Sequence, residues 1–521
     1  MKKLILLTIS TLIFSGISNA QGALDALRYS QYQYEGTAKS MAMGNAVTSL
    51  GGDIYSISIN PAASAVYRHS EFSFTPSFNI INNTASYTDS DIKKNAFKAN
   101  LSSIGYVGSI KMSKWSAVRN VNFGIAYNVL NNYNNEYTVS GRTAESSWLG
   151  SLAWYTNGLT AAHLDEDAGW NNAPWKSILA WDTGLIERLN NSEYLGATEN
   201  INNSIISLAG PLNQRFVRKT TGSLADILFN AGVNILDKLY LGANLTMQTL
   251  YYSDSQRYSE WTNDPSLFHT GFSEFSHLYR QTTAGVGVNM KFGAIITPIS
   301  GLRIATSIST PTWMYLHDEW DESINSAFSN GNTSRSSSPL GEYDYRINTP
   351  FRWNLGVSYV IGNIGIISAD YENVNYTNIS MKDDNGDDHE FREDNAYIEN
   401  YFKNSSIYRL GAEIRPVKNL ALRAGYSFYT NSGTDFRAVE EKKTYTNPET
   451  NLGDRSYVSA GIGFSNGKSF FADLGVQKML NHEGDFFLYN DYNIPSDTIP
   501  GGKYTLKQSP LKVLLTIGFR F

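Results

Sequence analysis

The 521-residue chain contains no cysteine, which excludes a disulfide framework, a thiolate metal site and a lipidated cysteine anchor. Charged residues are only 17% of it, and their balance is acidic, a formal net charge of −6. That argues against a nucleic-acid partner, which asks for a basic surface. Histidine is sparse: His69, His163, His269, His277, His317, His389 and His482 are scattered without metal-type spacing. With no Walker glycine loop and no Gly-x-Ser-x-Gly elbow either, the sequence gives no catalytic site, no metal and no cofactor to expect. Long apolar runs are missing as well. After the first twenty residues none approaches the roughly 18 needed for a spanning helix, and the mean hydropathy is −0.31.

What is abundant is aromatic: 33 Tyr and 25 Phe, inside an overall 13% of aromatic residues. No linker divides the chain, so one large domain is expected. Residues 1–20 combine Lys2 and Lys3, an apolar stretch from Leu4 to Gly16 and a small-residue Ser18-Asn19-Ala20, the pattern of a secretory signal peptide. Its removal would take the net charge from −6 to −8.

From Glu71 onward apolar and polar residues alternate with period two, the mark of strands with one apolar face. The last segment shows it best: Leu511, Val513, Leu515, Ile517, Phe519 and Phe521 are apolar, and Lys512, Thr516, Gly518 and Arg520 lie between. Eleven such residues suit a tilted crossing of a bilayer, which takes roughly 9–11. The same template finds fourteen strands, near 71–82, 101–112, 121–130, 223–236, 239–252, 281–292, 302–313, 352–361, 364–376, 406–415, 419–429, 456–464, 469–478 and 511–521. After the second strand the connections alternate short and long. The short ones are Asp237-Lys238, Thr297 to Gly301, Gly362-Asn363, Pro416 to Asn419 and Ser465 to Lys468. The long ones are 131–222, 253–280, 314–351, 377–405, 430–455 and 479–510. An all-β, fourteen-stranded antiparallel transmembrane β-barrel over 71–521, with short periplasmic turns and long extracellular loops, predicts that alternation. In lipid only a closed barrel satisfies every strand backbone.

The stretch before the first strand is unlike the rest. Gly36, Gly44, Gly51 and Gly52 with Ala38, Ala42, Ala46, Ala62 and Ala63 make it narrow and nearly uncharged, and Asn60-Pro61 ends it with a turn signal. The run from Gly36 to Ala46, the acid Asp53 and the triplet Asn60-Pro61-Ala62 resemble the N-terminal hatch of the FadL-like family, outer-membrane channels for long-chain fatty acids and other hydrophobic molecules. The aromatic C-terminus resembles the signal that outer-membrane barrels present to their assembly machinery, here through Phe521. The resemblance implies that 21–70 forms a hatch in the lumen, with Gly36, Gly44, Asp53, Asn60, Pro61 and Ala62 as its marker residues. It implies passive uptake of a hydrophobic small-molecule ligand, most simply a long-chain fatty acid, by a monomer without enzymatic activity, set in the lipid and lipopolysaccharide of a Gram-negative outer membrane. A kink in the third strand would favour lateral exit, and Asn128 and Asn131-Asn132 could interrupt that strand. The alternatives are another cargo, such as a porphyrin or an aromatic compound, and an adhesion or structural barrel whose loops bind a partner.

Two groups are candidates for ligand contact. The connection 131–222 holds five of the ten Trp, and Trp170, Trp175, Trp181 and Leu185 are expected either to wall an outer groove or to pack the loop. Trp175 to Leu189 has near-helical apolar spacing after Pro174. On the inward strand faces Arg303, Arg352, Arg409 and Arg423 either meet a ligand carboxylate or pair with acids of wall and hatch. The run Asp383-Asp384-Asn385-Gly386-Asp387-Asp388 fails the calcium-loop spacing and reads as a solvated acidic loop, with a divalent ion shared with lipopolysaccharide as the other reading.

Overall fold

The computed structural model describes residues 22–433 and 453–521, apart from 114, 166, 168, 203–204, 481 and 495–496. The signal-peptide segment 1–20 lies outside the described residues. Fourteen antiparallel strands form one closed wall: β1 (Glu71–Tyr87), β2 (Ser90–Lys111), β3 (Val118–Asn132), β4 (Leu212–Ile235), β5 (Leu239–Trp261), β6 (Phe272–Ile296), β7 (Leu302–Ser309), β8 (Arg352–Ile361), β9 (Gly365–Asn375), β10 (Asn404–Val417), β11 (Leu420–Tyr429), β12 (Arg455–Ser465), β13 (Phe470–Met479) and β14 (Leu511–Arg520). Each pairs with the next, and β1 closes on β14 from Glu71↔Arg520 to Ile80↔Leu511. Every strand that the alternation predicted is present. No helix among the described residues is long and apolar enough to cross a membrane.

The alternation works because the wall has an apolar outside. Phe123, Ile125, Phe229, Leu245, Val286, Val288, Leu355, Ile367 and Leu410 project outward and are exposed, while Asn122, Asn230, Asn244, Asn289 and Asn354 between them are buried. A soluble barrel would invert that arrangement.

Strand lengths depart from the sequence expectation. β4, β5 and β6 run for 24, 23 and 25 residues, more than twice the crossing length, so they stand well above the membrane. Hence β4 starts at Leu212 rather than near 223, and the expected loop 253–280 shrinks to 262–271. The expected loop 314–351 is a β-structure too, with Trp313–Phe328 paired to Gly341–Asn348. Outside the bilayer both strand faces meet water or loop, so the strict alternation fades there while the hydrogen-bonded ladder continues.

Within the wall lies the N-terminal segment: α1 (Ala23–Ser30), α2 (Ala38–Ala42), α3 (Ser56–Ile59) and a 3₁₀ turn (Pro61–Val66). Thr37 caps α2 and Asn60 caps the 3₁₀ turn, and Pro61 stands at the first turn position, where a missing N–H costs nothing. Almost every residue of this segment is buried, its apolar side chains packing with Leu130, Leu224, Leu250, Leu316 and Ile347 of the wall and outer strands.

Candidate functional site

The hatch sits on two seats of glycine. Under Asn60 to Ala65, wall residues Gly232, Gly242 and Gly293 are cross-strand neighbours on β4, β5 and β6, and a Cβ on any of them would strike Ser64, Pro61 or Asn60. Under Ala38 to Gly44, Gly411 and Gly425 pair across β10 and β11, and Gly461 and Gly475 pair across β12 and β13. A side chain there would collide with Met43, Gly44, Ala42 or Ala38. Glycine inside a strand is otherwise unfavourable, so its use here fits close approach of two backbones. Gly44 itself has φ +64 and no room for a Cβ against the Leu410 carbonyl and the Tyr426 amide.

The other marker residues hold the hatch internally. Asn60 Nδ2 donates to the Thr48 carbonyl at 2.8 Å while its Oδ1 accepts from Ala62 N at 3.0 Å. Asp53 Oδ2 accepts from Thr37 Oγ1 at 2.6 Å and its Oδ1 accepts from Tyr55 N at 2.9 Å, which ties the start of α2 to the start of α3. Gly36, at φ +86, offers its carbonyl to Ser102 Oγ of β2 at 2.6 Å.

The lumen arginines all have partners in the protein. Arg303 donates to the Leu50 carbonyl. Arg352 and Arg409 converge on Glu372, which is fully buried, and their guanidinium groups lie over the rings of Tyr32 at 3.7 Å and Tyr34 at 4.9 Å. Arg423 bridges Glu413 and Asp473, each at 2.6 Å. Sequence reasoning singled out the arginines but not Glu372, Tyr32 or Tyr34, because which acid or ring meets which guanidinium depends on register and hatch path.

The wall is interrupted where β3 meets the hatch. The β2–β3 ladder ends at Ser103↔Asn128, although β2 continues along β1 as far as Ser90. β3 carries a bulge between Val129 and Asn131, and both Val129 and Leu130 turn inward. The chain then continues as Asn135–Thr143, which pairs with β4 only. The hatch backbone meets this break, where Gln33 N donates to the Leu130 carbonyl at 2.8 Å. Asn131 Nδ2 adds a bond to the Gln31 carbonyl at 3.1 Å, and Asn128 Nδ2 reaches Ser58 Oγ at 2.7 Å. The interruption thus falls at the asparagines that the sequence marked. β1 and β2 are irregular at the same level, between Thr75 and Pro76.

Outward of the hatch, the strands and the connection between β3 and β4 enclose a chamber of about 340 Å³ above α1. Its walls mix charge and aromatic rings: Arg28, Arg218 with Asp254, Glu322 with His277, Trp148 and Trp320. Trp148 stacks on His277 at 5.2 Å. Of the loop residues expected at a groove, Leu185 is fully buried in a core that the loop shares with the extended strands, and Trp181 packs edge-on against Tyr194. The expected helix is shorter than its spacing to Leu189 suggested: it runs Trp175–Asp182, and Ile186–Arg188 is a strand. Trp175 at its start stacks on Trp320 at 5.8 Å and its indole N–H donates to the Trp170 carbonyl at 3.0 Å. These four residues pack the loop. Trp148 and Trp320, which the sequence did not single out, face the chamber instead. In the same core Glu199 is buried, which pushes its carboxyl up to about 7 against the opposing bond from Gly196 N at 3.0 Å.

No family model matches the chain, and no curated protein does. Solved structures do. The crystal structure of a Pseudomonas aeruginosa FadL homologue superposes with a TM-score of 0.53 at 12% identity, over 94% of this chain and 98% of that one. The toluene transporter TodX of P. putida gives 0.51 at 12% identity, over 94% and 99%. At that identity the likeness speaks for the fold, and in fold this chain is a FadL-like barrel: fourteen antiparallel strands closed around an N-terminal hatch.

Proposed function

We propose that the protein is an outer-membrane channel that admits hydrophobic small molecules by diffusion, without covalent chemistry. The observation that carries this reading is the break between β2 and β3 beside a hatch that fills the lumen. A solute cannot pass straight through such a barrel while the hatch is seated, but an apolar one can leave sideways into lipid where two strands lack their ladder. The structural neighbours named for toluene transport and for FadL homology support the same class. A long-chain fatty acid is the cargo we favour, entering through the chamber beneath the connection between β3 and β4. Gly36, Gly44, Asp53, Asn60, Pro61 and Ala62 hold the hatch. The arginines serve the protein rather than the cargo, since each is already partnered: Arg303, Arg352 and Arg409 at the hatch–wall contact and Arg423 within the wall. The protein acts as a monomer in contact with lipid and lipopolysaccharide, and Phe521, exposed at the periplasmic end, is the contact for barrel assembly.

The test is uptake of radiolabelled oleate by a host lacking its own channel, comparing the native chain with a variant in which Leu130 is deleted to remove the bulge and restore register. Uptake should appear with the native chain and fall to background in the variant. Undiminished uptake by the variant would rule out the lateral route, and none by the native chain would rule out this transport.

A further inference from the structure

Directly inside the wall break lies a niche of about 100 Å³ in which amide side chains stand among apolar ones such as Ile81, Tyr133 and Met479. Eight of its thirteen lining residues are Asn or Gln, among them Gln33 from the hatch, Asn79 and Asn83 from β1, Asn131 from β3, Asn135 and Gln508. The single charged residue in the lining, Lys512, is offset by Glu35, whose carboxylate lies 3.2 Å from its ammonium group. Asn79 is nine-tenths buried, and both its amide oxygen and its amide nitrogen lack a hydrogen-bond partner. Burying an amide with neither end satisfied is costly, so the site fits a guest that both donates and accepts.

We infer that this niche binds the uncharged, hydroxyl-bearing head of an amphiphile, so that among the cargo leaving through the β2–β3 break a monoacylglycerol-type molecule is held there more tightly than a fatty acid or a bare hydrocarbon. This rests on the lateral route proposed above. Amides complement hydroxyls because each presents donor and acceptor together, whereas a carboxylate would meet the Asn oxygens with no proton to give. A head of a few heavy atoms matches the volume, and the apolar tail would lie in the wall break beside Leu101 and Leu130.

Binding of radiolabelled 1-monolauroylglycerol, laurate and dodecane is measured by equilibrium dialysis with the full chain in lipid nanodiscs. The monoacylglycerol should bind at least about fivefold more tightly than laurate, the scale of one or two neutral hydrogen bonds. Asn79→Leu should remove that preference and leave dodecane unchanged, while Asn79→Ser, which keeps a donor and an acceptor, should retain part of it. Heat-modifiable gel mobility checks that each variant is folded. Should Asn79→Leu not fold, the comparison of native chain with Asn79→Ser decides. Equal affinity for laurate, or a preference insensitive to Asn79, overturns the inference and shows that the niche holds only water. If laurate and dodecane bind but the monoacylglycerol does not, the inference fails and the transport reading stands. If none of the three binds, both fail.

Discussion

Asn60 of the hatch lies so close to Gly293 of β6 that a single methyl group at 293 would overlap its amide oxygen. The same oxygen caps the 3₁₀ turn at Ala62 N, so wall and hatch compete for one position. Gly293→Ala is therefore expected to unseat the 60–65 segment at an overpacking cost of about 1–3 kcal/mol. The barrel should still assemble. Single-channel conductance checks it: openings should become more frequent in the variant, and conductance like the native protein's would show the hatch tolerating the methyl.

Asn60→Ala removes two bonds without adding bulk, the donation to Thr48 O and the cap at Ala62 N. A lost cap costs about 0.5–2 kcal/mol. Uptake of hydrophobic substrate is expected to fall while heat-modifiable mobility stays native. Native uptake would remove Asn60 from the functional residues.

Glu372 is the sole acid that Arg352 and Arg409 share in their ion pairs among the described residues. Glu372→Gln would leave two buried guanidinium groups uncompensated, and breaking such a pair typically costs about 3–5 kcal/mol. Thermal unfolding followed by far-ultraviolet circular dichroism should show a lower midpoint. The double change Glu372→Gln with Arg409→Met should recover part of the loss.

How far the sequence could be read follows from which forces act locally. Strand period and turn spacing are local, so all fourteen strands were legible, down to β14 with its alternation from Leu511 to Phe521. The hatch was legible through Gly36, Gly44 and Asn60-Pro61, whose backbone needs are also local; Gly36 and Gly44 do adopt positive φ. The glycine seats were visible as letters but not as a pattern, because Gly293 and Gly425 acquire meaning only from the hatch atoms facing them. The tryptophans show the limit from the other side. Trp175 and Trp148 are equally apolar in sequence, and only the path of the loop turns one onto Trp320 and the other toward the chamber.

The outer loop should respond to pH through Glu199. Its folded value, pushed up to about 7, lies above the ordinary 4.5, so the carboxyl keeps its proton longer in the folded loop. Below pH 4.5 it is protonated in either state and the loop core is at full stability; that stability is lost as pH rises toward 7, by up to about 3 kcal/mol. Limited proteolysis of the loop should therefore speed up between pH 5 and 7 on that account. Glu199→Gln should flatten the profile at the low-pH rate, and an unchanged profile would place the titrating group elsewhere.

The contacts of Trp170, Trp175 and Trp181 make a sharp expectation about cargo capture. Changing all three to Ala should loosen the loop, seen as faster proteolysis, because large-to-small changes in a packed cluster cost about 3–5 kcal/mol each where burial is complete and less where it is partial. Changing Trp148 instead should weaken the ligand-induced fluorescence change, with Trp320 left in place because Trp175 stacks on it. The reverse outcome would return the capture site to the first three.

The central claim, a barrel that carries hydrophobic small molecules, is tested most directly by what the protein holds when purified. Denaturing extraction of the native chain followed by mass spectrometry, with an unrelated barrel prepared in parallel, should release an apolar or amphipathic small molecule in near-stoichiometric amount. A barrel whose loops serve only adhesion would release nothing beyond the bulk lipid and detergent found with the control, and that result would contradict the account.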